Sequence, residues 1–521
     1  MIKIQNFSFS YIDAKEKALS KINLEVQDGE FLGIIGSSGA GKTTLSYAIN
    51  GIIPHHYKGD YYGKVLINDK DVFDTDPCQL ALEIGSVFQD IDSQMTSATV
   101  EDEILFGMEN FGFEKQEIYE RLDWVLKEMH IEFLRERDIS SLSGGQKQKV
   151  AIAAILALRP KILVLDEPTG ELDPAASRNI FRIIKELNEK YGLTVIVIEQ
   201  KIRLLCEYAK KLAVLKHGEL TFHGTVEEVL SHRDELADLG LNHERVGKIL
   251  DQIVAASKKK NNGDVSKDST VKKFDYTKYV SDAEPMVTIE KMSFGYDVNY
   301  LINDVDFNVY KGDFLALTGE NGSGKSTLSK LIGGILKPAS GSVKICGLES
   351  KKTKNSILAR HIGFLFQNPD RQLCCYTILE EIAFGLKALK LPDAEKHAKE
   401  IVDRFGFDPT MAPFALSRGQ RQQLALASII AVHPEVMILD EPTTGLDYKE
   451  CMELMNAVKE LNEKGTTVIM VCHDMELVRD FAKRMVVVAK GSIVADGYPK
   501  DLVPIMEENS LGLKQFDGEY K

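Results

Sequence analysis

Residues 36–45 read GSSGAGKTTL, and residues 319–328 read GENGSGKSTL. Both fit G-x-x-x-x-G-K-[ST]. Each follows an apolar, β-rich run (GEFLGIIG, GDFLALTG) and opens a helical pattern (KTTLSYAING, KSTLSKLIGG). Strand, glycine loop and helix in that order predict a phosphate cradle. The glycines let backbone N–H groups turn inward around an anion, and the helix N-terminus adds positive potential. Gly36, Ser37, Gly39, Gly41, Lys42, Thr43 and Thr44 are expected to line the first cradle. Gly319, Asn321, Gly322, Gly324, Lys325, Ser326 and Thr327 are expected to line the second. Lys42 and Lys325 would reach the β- and γ-phosphates of a nucleotide, and Thr43 and Ser326 would offer a hydroxyl to Mg²⁺.

Working outward from the cradles, the whole chain repeats. VFQD (87–90) returns as LFQN (365–368), LSGGQKQKVAIAAILA (142–157) as LSRGQRQQLALASIIA (416–431), and ILVLDEPTGELD (162–173) as VMILDEPTTGLD (436–447). IVIEQK (196–201) returns as IMVCHD (469–474). The spacing shrinks slowly, from 283 residues at Lys42 and Lys325 to 273 at Gln200 and His473. Collinear matches of this kind mean two versions of one domain with small loop differences. Residues 256–285 are rich in Lys, Asp, Ser and Asn and poor in branched aliphatics, so they read as a linker unable to bury a core. Such a linker spans roughly 30 Å on average and holds its two ends at millimolar effective concentration. The expected organisation is a first domain over 1–245, an extension and charged linker over 246–285, and a second domain over 286–521.

Composition bounds the rest. Of 521 residues, 44% are hydrophobic and 27% charged, as in ordinary globular domains. No apolar run approaches the roughly 18 residues of a membrane span, and the start of the chain does not read as a signal peptide. A net charge of −14 argues against nucleic acid as the main partner. The seven cysteines show no C-x-x-C spacing, so ordinary buried thiols in a reducing compartment are expected rather than disulfides or zinc.

Asp166 and Asp440 close short apolar runs that read as central parallel strands. An open α/β sheet binds its ligand at such strand ends. Either Asp could hold Mg²⁺ through its water shell, with Glu167 or Glu441 placed to polarise an attacking water. LSGGQ and LSRGQ each open a helix whose free N–H groups suit an anion. No residue there does chemistry unaided, so the partner must come from elsewhere. Roughly 50 residues of mostly helical spacing precede each of these stretches, enough for a helical subdomain in each half.

Taken together, GSSGAGKTT, VFQ, LSGGQ, ILVLDEP and a following Leu-Asp resemble the ATPase subunit of ABC transporters over nearly all of both halves. The resemblance implies an α/β fold: two tandem P-loop NTPase domains, each a RecA-like core with a helical subdomain. It implies that Tyr11 and Tyr296 stack on adenine and that Gln89 and Gln367 sense Mg²⁺ and a membrane partner. Asp173 and Asp447 would communicate across a dimer. FQNPDRQLCCYTILEEIAFGL (366–386) is more closely similar to energy-coupling-factor (ECF) importers, with QDIDSQMTSATVEDEILFGMEN (89–110) a looser twin. That implies a peripheral subunit on the cytoplasmic face of the cell membrane. Its partners would be a transmembrane coupling subunit and a small membrane substrate-binding subunit. A soluble tandem ATPase acting on ribosomes or DNA is the alternative. The short linker of mixed charge and the lack of a coiled-coil insertion weigh against it.

In this family two halves sandwich ATP head to tail. One expected site combines Lys42, Gln89, Asp166, Glu167 and Gln200 with Ser417, Gly419 and Gln420. The other combines Lys325, Gln367, Asp440, Glu441 and His473 with Ser143, Gly145 and Gln146. The family pattern has His at the position of Gln200 and Gly at the position of Arg418. Both departures fall in one composite site, which is therefore expected to turn over more slowly.

Overall fold

The computed structural model describes residues 1–12, 16–170, 172, 174–199, 202–232, 236, 277–296, 300–446 and 448–508. It divides into two units, Met1–Lys267 and Asp268–Lys521. Among the described residues both units are built alike. In the first, a six-stranded sheet runs in the order Glu219–Thr225, Lys211–Lys216, Phe31–Gly36, Thr194–Ile198, Ile162–Asp166, Ile84–Val87. All neighbours pair in parallel except the edge strand Glu219–Thr225, which is antiparallel. The second unit repeats this with Phe314–Thr318 flanked by Thr467–Val471 and Arg484–Ala489.

The central strands ILVLD, TVIVI, VMILD and TVIMV are buried along their whole length. This follows from a parallel sheet covered on both faces, where side chains alternate between the two. Leu163, Leu165, Val195 and Val197 join the core on one face, with the helices Val100–Asn110, Lys115–Glu128 and Gly144–Leu156. Ile162, Val164, Ile196 and Ile198 join the other core, beneath the four-stranded antiparallel sheet that carries Ile2, Ile4, Phe7 and Phe9. The second unit splits its strands the same way, Leu439 and Met470 to one core and Ile438 and Ile469 to the other.

Two features depart from the sequence expectation. Tyr279, assigned to the linker, packs on the second unit: its hydroxyl donates to Asp313 Oδ1 (2.8 Å) and its ring lies under the Arg484 guanidinium. Arg484 is buried, pairs with Asp313 (2.9 Å) and Asp496 (2.6 Å), and donates to the Asn308 carbonyl. Poor core-forming composition therefore does not keep residues 277–284 off the domain, because the Tyr279 side chain and backbone pairing, including Tyr279 N on the Asp496 carbonyl (3.2 Å), dock them. The cysteines are also not uniformly buried. Cys206, Cys451 and Cys472 are, whereas Cys78 and Cys374 are exposed and Cys346 and Cys375 lie between. All seven are free thiols.

Candidate functional site

Each glycine loop leaves its strand, turns through left-handed glycines and enters a helix. Gly39 and Gly41 have φ of 74° and 93°, and Gly322 and Gly324 have 82° and 100°. These values are strained for any residue with a Cβ. Gly41 and Gly324 are also the N-caps of helices Lys42–Ile49 and Lys325–Ile332, and neither helix has a side-chain cap. A helix start without a side-chain cap suits an anion. Lys42 Nζ donates to the carbonyls of Gly36 and Ser37 (2.8 Å each). Lys325 Nζ donates to those of Gly319 (3.0 Å) and Glu320 (2.8 Å). Both ammonium groups are thus held over the loop rather than in solvent.

The parallel pairing of strands carries Asp166 and Asp440 to the neighbouring strand ends. Ser326 Oγ donates to Asp440 Oδ1 (2.9 Å). Asp166 is hydrogen-bonded to Thr43, yet burial and the charge of Glu167 push its carboxyl up to about 6. Burial, with Glu441 beside it, also raises Asp440, against the opposing bond from Ser326. Each half thus gathers a hydroxyl and a buried carboxylate, with a glutamine amide nearby. These are hard oxygen donors that fit Mg²⁺, and a cation there would offset the cost of holding a charged carboxylate out of water.

Glu167 and Glu441 follow directly, both left-handed with φ of 48°. A non-glycine residue in this region costs of order 1–3 kcal/mol and is typically kept at functional sites. Here a backbone bond from each N–H to the adjacent strand fixes it, to Ile198 O (2.8 Å) and to Val471 O (3.0 Å). Gln89 Nε2 donates to Glu167 Oε2 (2.8 Å) and Gln367 Nε2 to Glu441 Oε2 (3.1 Å). In the second half His473 Nδ1 lies 3.8 Å from Glu441 Oε1. Burial drives the Glu441 carboxyl up, but His473, Lys325 and the Thr444 hydroxyl outweigh it and hold it below the usual range.

Tyr11 lies beside the first loop, its hydroxyl 3.1 Å from Thr44 Oγ1, and Tyr296 stands in the equivalent place at 3.4 Å from Thr327 Oγ1. Ser143 and Ser417 are N-caps, each closed into a capping box with Gln146 or Gln420. Capping leaves Gly145 and Gly419 in the first turn. Arg418 folds over its own unit, its Nε 3.1 Å from where a Cβ on Gly445 would sit. Gln200, Asp173 and Asp447 lie outside the described residues. Two residues went unrecognised in the sequence. Thr444 donates to Glu441 Oε2 (3.4 Å), and Glu199, fully buried one residue before Gln200, accepts from Thr169 N (3.4 Å). Glu199 stands where the second copy has Cys472, a substitution visible on aligning the repeats.

Two glycine cradles, each beside an Asp-Glu strand end in a doubly covered parallel sheet, give each half the P-loop NTPase fold. The pattern of the ABC transporter family matches residues 19–170 and 302–444. The chain belongs to that family, as an ATP-binding, ATP-hydrolysing subunit of a transporter that carries the cassette twice. It is 39% identical to the "Putative ABC transporter ATP-binding protein" of Caldanaerobacter subterraneus, over 96% of this chain and 92% of that protein. It is 34% identical to the "Putative HMP/thiamine import ATP-binding protein YkoD" of Bacillus subtilis, over 96% and 92%. The solved structure of cbiO1 from Clostridium perfringens, described as part of the ABC transporter complex cbiONQ, covers 48% of this chain and 98% of its own at 33% identity, with a TM-score of 0.42. Among the described residues, no helix is long and apolar enough to cross a membrane.

Proposed function

We propose that this chain is the energy-coupling subunit of an ECF-like importer for a vitamin, a vitamin precursor or a metal ion. It would dock on a transmembrane coupling subunit at the cytoplasmic face, with a small membrane subunit capturing the cargo. The observation that carries the reading is likeness along both halves to a relative named for HMP/thiamine import. The Asn-Pro-Asp-x-Gln stretch after Gln367 agrees with it.

Within that frame the two halves pair head to tail, and the resulting sites are unequal. In the second, Lys325 and the helix start would hold the triphosphate, and Ser326 and Asp440 would hold Mg²⁺, whose charge would offset that of the phosphates. Glu441, kept ionised, accepts a proton from the attacking water, and His473 donates to the γ-phosphate. Ser143, Gly145 and Gln146 close the site. In the first, Gln200 takes the place of His473 and Arg418 stands in the first turn of the closing helix where the family pattern has glycine. A charge-assisted bond to phosphate contributes about 1.5–3 kcal/mol, a neutral one about 0.5–1.5. Losing about 1–2 kcal/mol in the transition state slows turnover roughly five- to thirty-fold. The first site binds ATP and turns over slowly, and the second performs most hydrolysis.

The test exchanges the two residues. Gln200→His and His473→Gln, singly and together, should move the loss of turnover with the glutamine while ATP affinity changes little. An active His473→Gln enzyme would refute the asymmetry. Failure to co-purify a multi-span protein from detergent-solubilised membranes would refute the importer assignment.

A further inference from the structure

The two copies also differ at the end of the sheet remote from the cradle. Cys346 directly follows strand Ser340–Ile345, His361 directly precedes Ile362–Leu365, and Glu435 directly precedes Val436–Asp440. The ligand atoms of these three side chains lie within 4.8 Å of one another. His361 Nδ1 is 2.6 Å from Glu435 Oε1. We propose that Cys346, His361 and Glu435 form a binding site for a divalent ion of the zinc class.

The backbone under the three groups is fixed. Cys346 N donates to Met286 O (2.7 Å), His361 O accepts from Val436 N (3.0 Å), and Glu435 O accepts from Thr467 N (2.9 Å). Side chains rooted at pinned strand ends need only rotamer changes to close on an ion. A tetrahedral zinc site places sulfur, nitrogen and oxygen about 2.0–2.3 Å from the metal, hence roughly 3.5 Å apart. The His361–Glu435 pair opens by about 1 Å to reach this, and the thiol, within 4.8 Å of both, closes the remaining gap. Cys346 is half-buried and Glu435 exposed, so three protein ligands face a side open to water, which supplies the fourth. A thiol and an imidazole select a borderline ion of the Zn²⁺, Co²⁺ or Ni²⁺ kind over Mg²⁺ or Ca²⁺.

The first half supplies an internal control. Strand pairing places Asn68, Glu83 and Lys161 at the matching positions. Asn68 shares the left-handed backbone of Cys346, with φ of 51° against 47°. There Asn68 Nδ2 simply donates to Glu83 Oε2 (3.1 Å), and a lysine stands where the second half has Glu435. The scaffold is common to both copies, and only the second carries a full set of metal ligands. Burial, with Glu435 nearby, pushes the Cys346 thiol up to about 11. Binding therefore releases the thiol proton to water as the sulfur–metal bond forms, and affinity rises with pH. A bound ion would tie the antiparallel sheet, through Cys346, to two strands of the nucleotide-holding sheet, through His361 and Glu435.

Cobalt titration of the untagged, thiol-reduced full-length chain tests this without reference to ATP turnover. The expected result is a thiolate-to-cobalt charge-transfer band that accounts for one equivalent and is displaced by Zn²⁺. Cys346→Ser and His361→Asn should each remove that equivalent, the latter with every thiol still present, and Glu435→Gln should weaken it at least tenfold. The exposed Cys374 and its neighbour Cys375 are a second thiol source, so Cys374→Ser should leave the band in place. A chain that gives no band, or one whose band survives both Cys346→Ser and His361→Asn, overturns the proposal.

Discussion

Replacing Asp166 by Asn should make the first half harder to unfold at neutral pH. The carboxyl is pushed from 3.8 to about 6, first by burial and then by Glu167, so its charged form is disfavoured in the folded chain. A folded value above the unfolded one means stability fully present below 3.8 and lost as pH rises through 6. At about 1.36 kcal/mol per pH unit, the loss is of order 3 kcal/mol at pH 7.5. At pH 5 only about half of it remains, because much of the folded-state carboxyl is then neutral. Asn keeps the shape and can still accept from Thr43, but it carries no charge. Its gain should therefore be about 3 kcal/mol at pH 7.5 and about 1.5 at pH 5. The assay is urea unfolding in chelator without nucleotide, followed by tryptophan fluorescence. Trp124 is the chain's single tryptophan and lies in the first unit, donating to Tyr191 Oη (3.0 Å), so it reports that half alone. With Mg²⁺ and ATP the order should reverse, since only the carboxylate gains from the cation. A variant less stable than its parent at pH 7.5, or a gain that does not change with pH, would refute the argument.

Arg484→Met should destabilise the second unit by about 3–5 kcal/mol, because Asp313 stays buried and keeps, among the described residues, just the Tyr279 hydroxyl and the Tyr310 N–H as donors. At about 2–4 °C per kcal/mol, calorimetry should show a fall of roughly 6–20 °C, partly restored by adding Asp313→Leu. A fall under about 2 °C would show that the pair contributes little. Gly41→Ala combines a φ of 93° with a Cβ only 2.5 Å from the Ala18 carbonyl. It should cost about 2–4 kcal/mol in Trp124-monitored unfolding and weaken ATP binding. Gly112→Ala, at φ 71° in open space, should cost only about 1 kcal/mol by the same measurement. Equal losses would mean that backbone strain alone sets the cost.

The linear sequence determined the duplication, the two cradles and the strand ends. These are local properties: glycine spacing dictates a left-handed turn, and an unbroken apolar run such as ILVLD dictates a strand covered on both faces. What the cradle lysines hold on to, and how Ser326 meets Asp440 114 residues away, follow from parallel strand register. Tertiary structure alone decided that Glu167 and Glu441 adopt a left-handed backbone, since nothing about a glutamate favours it and the neighbouring strand enforces it. It alone docked Tyr279 through its ring, its hydroxyl and its backbone N–H. The cluster of Cys346, His361 and Glu435 was equally hidden. Its members are scattered over 90 positions of sequence, with none of the spacings that mark a metal motif. They meet only because a strand of the antiparallel sheet ends where two strands of the nucleotide-holding sheet begin.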